Sequence, residues 1–142
     1  FRSTVAAAFE QCQAAQGTGV GFNAGAASTL TECRASQNTQ QGFLTSSRCV
    51  LTRCRAEANG GGQGFTGFWV TGSGSRVEDC TATNNGFGFF VEGSDNFVAR
   101  CAARGNNFGN FSVSGTQEVA PIMLNPGSTN FAGANPWSNF SY

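Results

Sequence analysis

Apolar and polar positions along this chain recur with a period of 21 residues. The clearest column is formed by cysteines, at Cys12, Cys33, Cys54, Cys80 and Cys101. Each has an apolar residue three positions before it and an alanine two positions after it. Successive cysteines are 21 residues apart, except that 26 residues separate Cys54 from Cys80. The chain therefore consists of repeats, one of which carries an insertion of five residues.

Two further columns keep the same register. Aromatic residues lie eleven positions before each cysteine and at the next step of 21, which gives Phe1, Phe22, Phe43, Trp69, Phe90 and Phe111. Asparagines lie five positions after four of the cysteines, at Asn38, Asn59, Asn85 and Asn106. Because Asn59 and Trp69 keep their distances to their own cysteines, we place the insertion near the glycine-rich loop 60–64. We expect the cysteine, aromatic and asparagine columns to be structural ladders.

Within each repeat, the apolar residues form runs of three or four that are punctuated by Gly, Ser and Asn, which is typical of short strands. No helical apolar pattern persists, and short strands at a strict interval indicate a β-solenoid. We predict an all-β chain of about six coils of 21 residues over 1–131, starting at residues 1, 22, 43, 69, 90 and 111. Residues 132–142 form an aromatic tail. In the sixth coil, Ile122 is expected in the cysteine column and Leu124 in the alanine column.

Three segments carry a resemblance to a known family: Cys33 to Thr45, Cys80 to Glu92 and Cys101 to Val113. They resemble the coils of right-handed parallel β-helix proteins, the pectate-lyase-like superfamily. The resemblance implies a single-stranded right-handed parallel β-helix with three short strands in each coil and, often, an asparagine ladder at one turn. It implies no single function, since this fold is found in lyases, hydrolases, tail spikes, adhesins and scaffolds.

Composition narrows the possible partners. Only 11% of residues are charged, the net charge is zero, and neither Lys nor His occurs, so we expect no nucleic-acid partner. No apolar run approaches the ~20 residues of a membrane span, and no membrane partner is expected. Because the chain begins at Phe1 rather than Met, we interpret it as a processed product or a fragment. We expect an extracellular location or the surface of a cell or virion.

The carboxylates do not suggest an active site. Asp79 and Asp95 fall in different columns, whereas glycoside cleavage needs a matched carboxylate pair. A column of alternating charge directly precedes the cysteines, at Glu32, Arg53, Asp79 and Arg100. Arg34 and Arg55, near Glu32 and Glu57, are the nearest approach to a lyase site, but a salt-bridged patch is the favoured interpretation. We expect no catalytic residues and no enzymatic activity.

The cysteines are expected to be structural. Neighbours one coil apart could form vertical disulfides, but a stack of reduced thiols is favoured because five residues in one column pair badly. Ligands in a line cannot surround zinc, so we expect no metal or cofactor. Cys49 lies outside the column. It is either an exposed thiol available for intermolecular bonding or, as we favour, a turn residue that packs.

These observations leave two candidate functions. The first is a structural or assembly protein, a β-helix that stacks head-to-tail with copies of itself into an extracellular fibre, spike or surface filament. Five aromatics lie outside the aromatic column, at Phe65, Phe68, Phe87, Phe89 and Phe108. Because neighbouring alternate positions cannot all point inward, we expect some of them to be exposed as a lateral contact surface. Subunit contacts are expected in the tail, at Phe131, Trp137, Phe140 and Tyr142. The alternative is a carbohydrate-binding or polysaccharide-processing domain of a larger secreted protein.

Overall fold

The structure, a computed structural model, describes residues 1–61, 63–124 and 135–141. Its strands are β1 (Ala8–Glu10), β2 (Gln13–Ala15), β3 (Phe22–Ala24), β4 (Thr29–Thr31), β5 (Arg34–Ser36), β6 (Phe43–Thr45), β7 (Val50–Thr52), β8 (Arg55–Glu57), β9 (Thr66–Val70), β10 (Arg76–Glu78), β11 (Thr81–Thr83), β12 (Phe87–Val91), β13 (Phe97–Ala99), β14 (Ala102–Arg104), β15 (Gly109–Val113), β16 (Glu118–Val119), β17 (Ile122–Leu124) and β18 (Asn139–Ser141). None of the described segments is a helix that could cross a membrane.

The strands form three parallel sheets. Sheet I has the order β1-β4-β7-β10-β13-β16, sheet II has β17-β18-β14-β11-β8-β5-β2, and sheet III has β15-β12-β9-β6-β3. Each full coil contributes one strand to each sheet, and strands one repeat apart pair in register, as Ala8 does with Thr29. The predicted all-β solenoid of about six coils is therefore confirmed.

The corners between strands depend on a backbone conformation that L-residues seldom adopt. Twelve described non-glycine residues have positive φ, between 50° and 60°. One such residue stands directly before each column cysteine, as Glu32 does before Cys33, and others stand before asparagines, as Gln37 does before Asn38. Left-handed backbone costs non-glycine residues about 1–2 kcal/mol each. Contacts between coils must offset this cost, through the buried side chain that follows and through pairs of the corner residues themselves, as between Arg53 and Glu32.

Stacked rings fill the core beside sheet III. The rings of Phe22, Phe43, Phe68 and Phe89 are fully buried, and neighbouring rings lie parallel with centroids 4.7 to 5.0 Å apart. Phe1 stacks on Phe22 at one end of this column and Phe111 stacks on Phe89 at the other.

The prediction that Trp69 and Phe90 belong to this column, and that coils start at them, is wrong by one residue. Phe43 pairs with Phe68, and Trp69 pairs with Leu44. The insertion is divided: Phe68 lies 25 residues after its partner Phe43, while Arg76 lies 26 residues after its partner Val50. Four extra residues thus precede β9 and one follows it, which shifts Trp69 and Phe90 out of the core register.

An asparagine ladder runs along the corner between sheets II and III. The side-chain amide of Asn38 donates to Oδ1 of Asn59 at 2.9 Å, that of Asn59 to Asn85 at 3.1 Å, and that of Asn85 to Asn106 at 3.1 Å. Each Oδ1 also accepts the backbone N–H of the asparagine one coil below, as Asn59 does from Asn38. The amide of Asn59 reaches the Ala35 carbonyl as well. The side-chain amides of the ladder are therefore satisfied by their neighbours.

Cys49 belongs to another ladder, at the corner between sheets III and I. The backbone N–H of Cys49 donates to Oγ of Ser75, whose own N–H donates to Oδ1 of Asn96. Cys49 is fully buried, and its thiol donates to the Gly25 carbonyl at 3.3 Å. An exposed Cys49 is thus excluded, and its packing as a turn residue agrees with the favoured interpretation.

The described part of the tail adds a strand to sheet II of its own chain. Strand β18 lies between β14 and β17, where Phe140 pairs with Ala102 and also with Met123. Leu124 keeps the predicted register of the alanine column, since it pairs with Ser141 and Ser141 pairs with Ala103. Ile122 and Leu124 do not lie directly on the fifth coil, however, because β18 is interposed. The intervening strand occupies that level, and Leu124 is 73% exposed.

The tail aromatics pack within the same chain. The Arg100 guanidinium lies 4.8 Å from the ring centroid of Trp137, and Phe140 lies in the strand that covers β14. The Trp137 side chain remains 49% exposed, and the contact of Trp137 and Phe140 with another subunit stays a prediction. Phe131 and Tyr142 lie outside the described residues.

The corrected register predicts unequal effects of two neighbouring substitutions. Phe68→Ala removes a ring stacked on both faces and should cost about 3–5 kcal/mol of unfolding free energy. Trp69→Ala should cost less, because the Trp69 side chain is only half-buried. Urea unfolding monitored by circular dichroism measures both, and a larger loss for Trp69→Ala would contradict the register.

Candidate aromatic binding surface

The outward side of sheet III carries a row of half-buried side chains. Strand pairing aligns Asn23, Leu44, Trp69, Phe90 and Ser112 across the five strands. Each directly follows a column phenylalanine, and alternation along a strand turns it away from the core. The row is polar at both ends and apolar in the middle.

The middle of the row extends into an aromatic cluster around a cavity of about 250 Å³. Trp69, Phe65, Phe87 and Phe90 line this cavity. The ring centroids of Phe87 and Phe90 are 5.5 Å apart, and those of Trp69 and Phe90 are 6.1 Å apart in an edge-to-face arrangement. Phe108 extends the cluster, 5.6 Å from Phe87, with 59% of its surface exposed. These five residues together are called the aromatic surface.

The insertion forms one wall of the cavity. Gln63 and Gly64 line it, and the loop closes through a hydrogen bond from the Gln63 N–H to the Gly60 carbonyl at 2.8 Å. Gly60 has φ of +85°, and a Cβ there would lie 2.6 Å from Cβ of Phe65, so glycine is required at this turn. The extra residues that interrupt the repeat are thus placed beside the aromatic surface.

A few polar groups are oriented around the rings. The Trp69 indole N–H donates to Oε2 of Glu92 at 2.8 Å, which fixes the orientation of the indole plane. Gln41, Gln63 and Thr66 also line the cavity, and the buried Oγ1 of Thr66 has no hydrogen-bond partner. None of the described residues lining this cavity is ionisable.

The surface continues past Trp69 into a second depression. This depression has a volume of about 440 Å³, and its lining includes Arg2, Asn23, Leu44, Thr71 and Trp69 itself. Trp69 therefore separates an aromatic cavity from a more polar one. The two depressions share Trp69 as a wall and are together called the groove. Their linings come from several coils, which suits an elongated ligand better than a compact one.

The charged columns predicted from the sequence form ion pairs on other faces. Arg53 Nε lies 2.9 Å from Glu32, and Arg100 Nε lies 2.8 Å from Asp79. Hydrogen bonds from Gln11 and then Arg53 lower the pKa of Glu32, and those from Arg100 lower the pKa of Asp79. These carboxylates are thereby held in the ionised form, which is unsuited to a general acid.

Arg34 and Arg55, the two arginines of the possible lyase site, are also ion-paired. Arg34 Nη2 lies 2.7 Å from Glu57, and Arg55 Nε lies 3.7 Å from the same carboxylate. Glu32 pairs with Arg53 instead. The geometry is that of a salt-bridged patch on sheet II, away from the aromatic surface on sheet III.

The six cysteines are free thiols. Cys33, Cys54, Cys80 and Cys101 are fully buried, and Cys12 is half-buried. Within the described ranges, no three side chains of His, Cys, Asp or Glu gather around a common point that could hold a metal ion.

The geometry defines a parallel β-solenoid with buried residue ladders and one aromatic groove. A family model described as a right handed beta helix region matches residues 2–125. The chain therefore belongs to the right-handed β-helix family. No curated protein and no solved structure matched the chain in the same comparisons.

The period of 21 places Trp69 and Phe90 in the core, and a second pattern in the sequence bears on the same register. A glycine precedes four of the inward rings, in Gly21-Phe22, Gly42-Phe43, Gly67-Phe68 and Gly88-Phe89. A Cβ on Gly67 would lie 2.8 Å from Nδ2 of Asn85, so the ladder permits only glycine there. The pair does not identify inward rings by itself, because the outward rings of Phe65 and Phe87 also follow a glycine.

The charge pairing predicts that the protein does not cleave polyuronates. Each described acidic group near Arg34 and Arg55 is already ion-paired, and no carboxylate pair faces the groove. Incubation with polygalacturonate, followed by mass spectrometry of released oligosaccharides, should detect no product above the level of a heat-denatured control. Cleavage that is lost in Arg55→Ala would contradict this.

Proposed function

We propose that the protein binds a carbohydrate chain along the groove on the outward side of sheet III. The observation that carries the proposal is the cluster of half-exposed rings at Trp69, Phe87 and Phe90 around the aromatic cavity. Flat rings stack against the C–H faces of sugar rings, and binding sites generally combine such apolar walls with a few placed polar groups.

The polar lining supports the same class of ligand. Gln41, Gln63 and Thr66 offer amide and hydroxyl groups of the kind that bind sugar hydroxyls. The aromatic cavity has no cationic side chain in its lining and Glu92 contacts the Trp69 indole, which favours a neutral glycan over a polyuronate in that cavity. Arg2 lines the second depression. A chain running across the coils would contact both depressions on either side of Trp69.

The two tryptophans provide a matched test of carbohydrate binding. Trp69→Ala should weaken binding of a neutral oligosaccharide such as xylohexaose about tenfold, the value of one stacked ring. Trp137→Ala should leave the affinity unchanged, since Trp137 packs against Arg100 far along the fold. Isothermal titration calorimetry over a panel of neutral and acidic oligosaccharides measures both. Equal losses in the two variants, or no binding by the unsubstituted chain, would refute the proposal.

Head-to-tail assembly is a second candidate, favoured by a separate observation. Strand β17 is the outermost described strand of sheet II, and its Leu124 is 73% exposed. Val113, on the outermost strand of sheet III, is 39% exposed. Outer strands with apolar side chains recruit further strands unless they are covered or charged, and a second copy stacked axially would pair with them.

A charged substitution on the outermost strand of sheet II tests head-to-tail assembly. The unsubstituted chain should increase in weight-average mass with concentration in sedimentation velocity, and Leu124→Lys should suppress that increase because charge on an outer strand opposes pairing. Val50→Lys is the control, since Val50 is 37% exposed but lies on an interior strand of sheet I. A monomer at every accessible concentration would argue against assembly.

A further inference from the structure

The cysteine column has no part in the function proposed above. Its members stand at the same corner of successive coils, and the backbone pairing holds them in register: the N–H of Arg34 donates to the Cys12 carbonyl at 2.8 Å and that of Arg55 to the Cys33 carbonyl at 2.9 Å. Thr81 and Ala102 continue the pattern to Cys54 and Cys80. Five thiols are therefore stacked one per coil.

The sulfur atoms share one orientation. The Cys33 thiol donates to the Phe9 carbonyl at 3.3 Å, and the Cys54 thiol donates to the Leu30 carbonyl at the same distance. In both cases the acceptor lies on the coil below, three residues before the neighbouring cysteine. Since the coils repeat, the sulfurs repeat too, at about the 4.8 Å spacing of adjacent strands.

This spacing fits a two-coordinate metal. Metal–thiolate bonds of about 2.3 Å, the value for zinc, span about 4.6 Å when two are laid end to end. Soft d¹⁰ ions such as copper(I) prefer thiolate ligands. A tetrahedral site would need further ligands around one point, and the described residues provide no such group. The column thus offers pairs of sulfurs in line and nothing more.

The charge of such a site can also be balanced. The column lies among buried apolar side chains such as Leu30 and Leu51, where an uncompensated charge would be costly. If a monovalent ion replaces one thiol proton, which leaves to solvent, the product is a neutral metal thiolate. The neighbouring protonated thiol then supplies the second sulfur through a lone pair.

We propose that neighbouring members of the cysteine column bind soft monovalent cations of the copper(I) class in linear, two-coordinate sites between coils.

Two double variants with equal numbers of thiols test this proposal. Cys33→Ala/Cys80→Ala leaves four thiols, of which no two are neighbours in the column. Cys12→Ala/Cys49→Ala also leaves four thiols, which are all neighbours. The probe is silver(I), a redox-inert analogue, added to the reduced full chain in chloride-free buffer. Native mass spectrometry counts the bound ions, competition titration gives affinity, and a pH-stat measures protons released.

We expect the silver affinity to depend on whether the remaining thiols are neighbours in the column, and not on how many thiols remain. The native chain and Cys12→Ala/Cys49→Ala should bind silver tightly, with one proton released per ion, whereas Cys33→Ala/Cys80→Ala should bind it much more weakly. If the alternating variant does not fold by circular dichroism, the isosteric Cys33→Ser/Cys80→Ser replaces it. Equal affinity and stoichiometry in the two double variants, or no binding by the native chain, would overturn the proposal.

Discussion

The fold depends on one constraint: each corner side chain must find its hydrogen-bond partner on the next coil. Asn59 is bonded to Asn38 below it and to Asn85 above it, and its amide also reaches a carbonyl of its neighbour. A buried amide without these partners would cost about 1–3 kcal/mol for each lost bond. This penalty enforces a strict repeat, since a coil that shifted by one residue would leave two other coils unsatisfied. It also offsets the left-handed backbone of the residue that precedes each asparagine.

The same constraint explains how the ladders end. Asn110 stands where the other coils have the glycine of the Gly-Phe pair, and its Oδ1 accepts from the Asn106 amide at 2.8 Å. It thus supplies the acceptor that an asparagine one coil higher would have provided. The tail supplies an acceptor at the end of the cysteine column in the same way, since Oδ1 of Asn139 accepts the Cys101 N–H at 2.9 Å. Two asparagines from different parts of the chain therefore complete the ladders within the described residues.

Periodicity allowed the fold class, the asparagine ladder and the inward cysteines to be predicted, because a buried column tolerates few residue types. Periodicity gave the wrong register for Trp69 and Phe90, because each directly follows a phenylalanine. Two consecutive aromatic residues fit an aromatic column equally well, so the pattern could not distinguish two registers one residue apart. It also missed the strand β18, since nothing in Asn139 to Ser141 repeats the coil pattern. The pairing of that strand is decided by long-range contacts with β14, which a local pattern does not contain.

The location of the candidate site follows from the ladders as well. The four extra residues between Asn59 and Thr66 leave the hydrogen bond from Asn59 to Asn85 intact. The loop is therefore tolerated where it is, and there it adds a wall to the outward side of sheet III. Since Phe68 and Trp69 are consecutive, the ring that stacks in the core fixes the position of the ring that faces the groove. Repeat proteins carry their insertions on one face, often the face that binds a ligand, and in this chain the interrupted period and the exposed aromatics coincide.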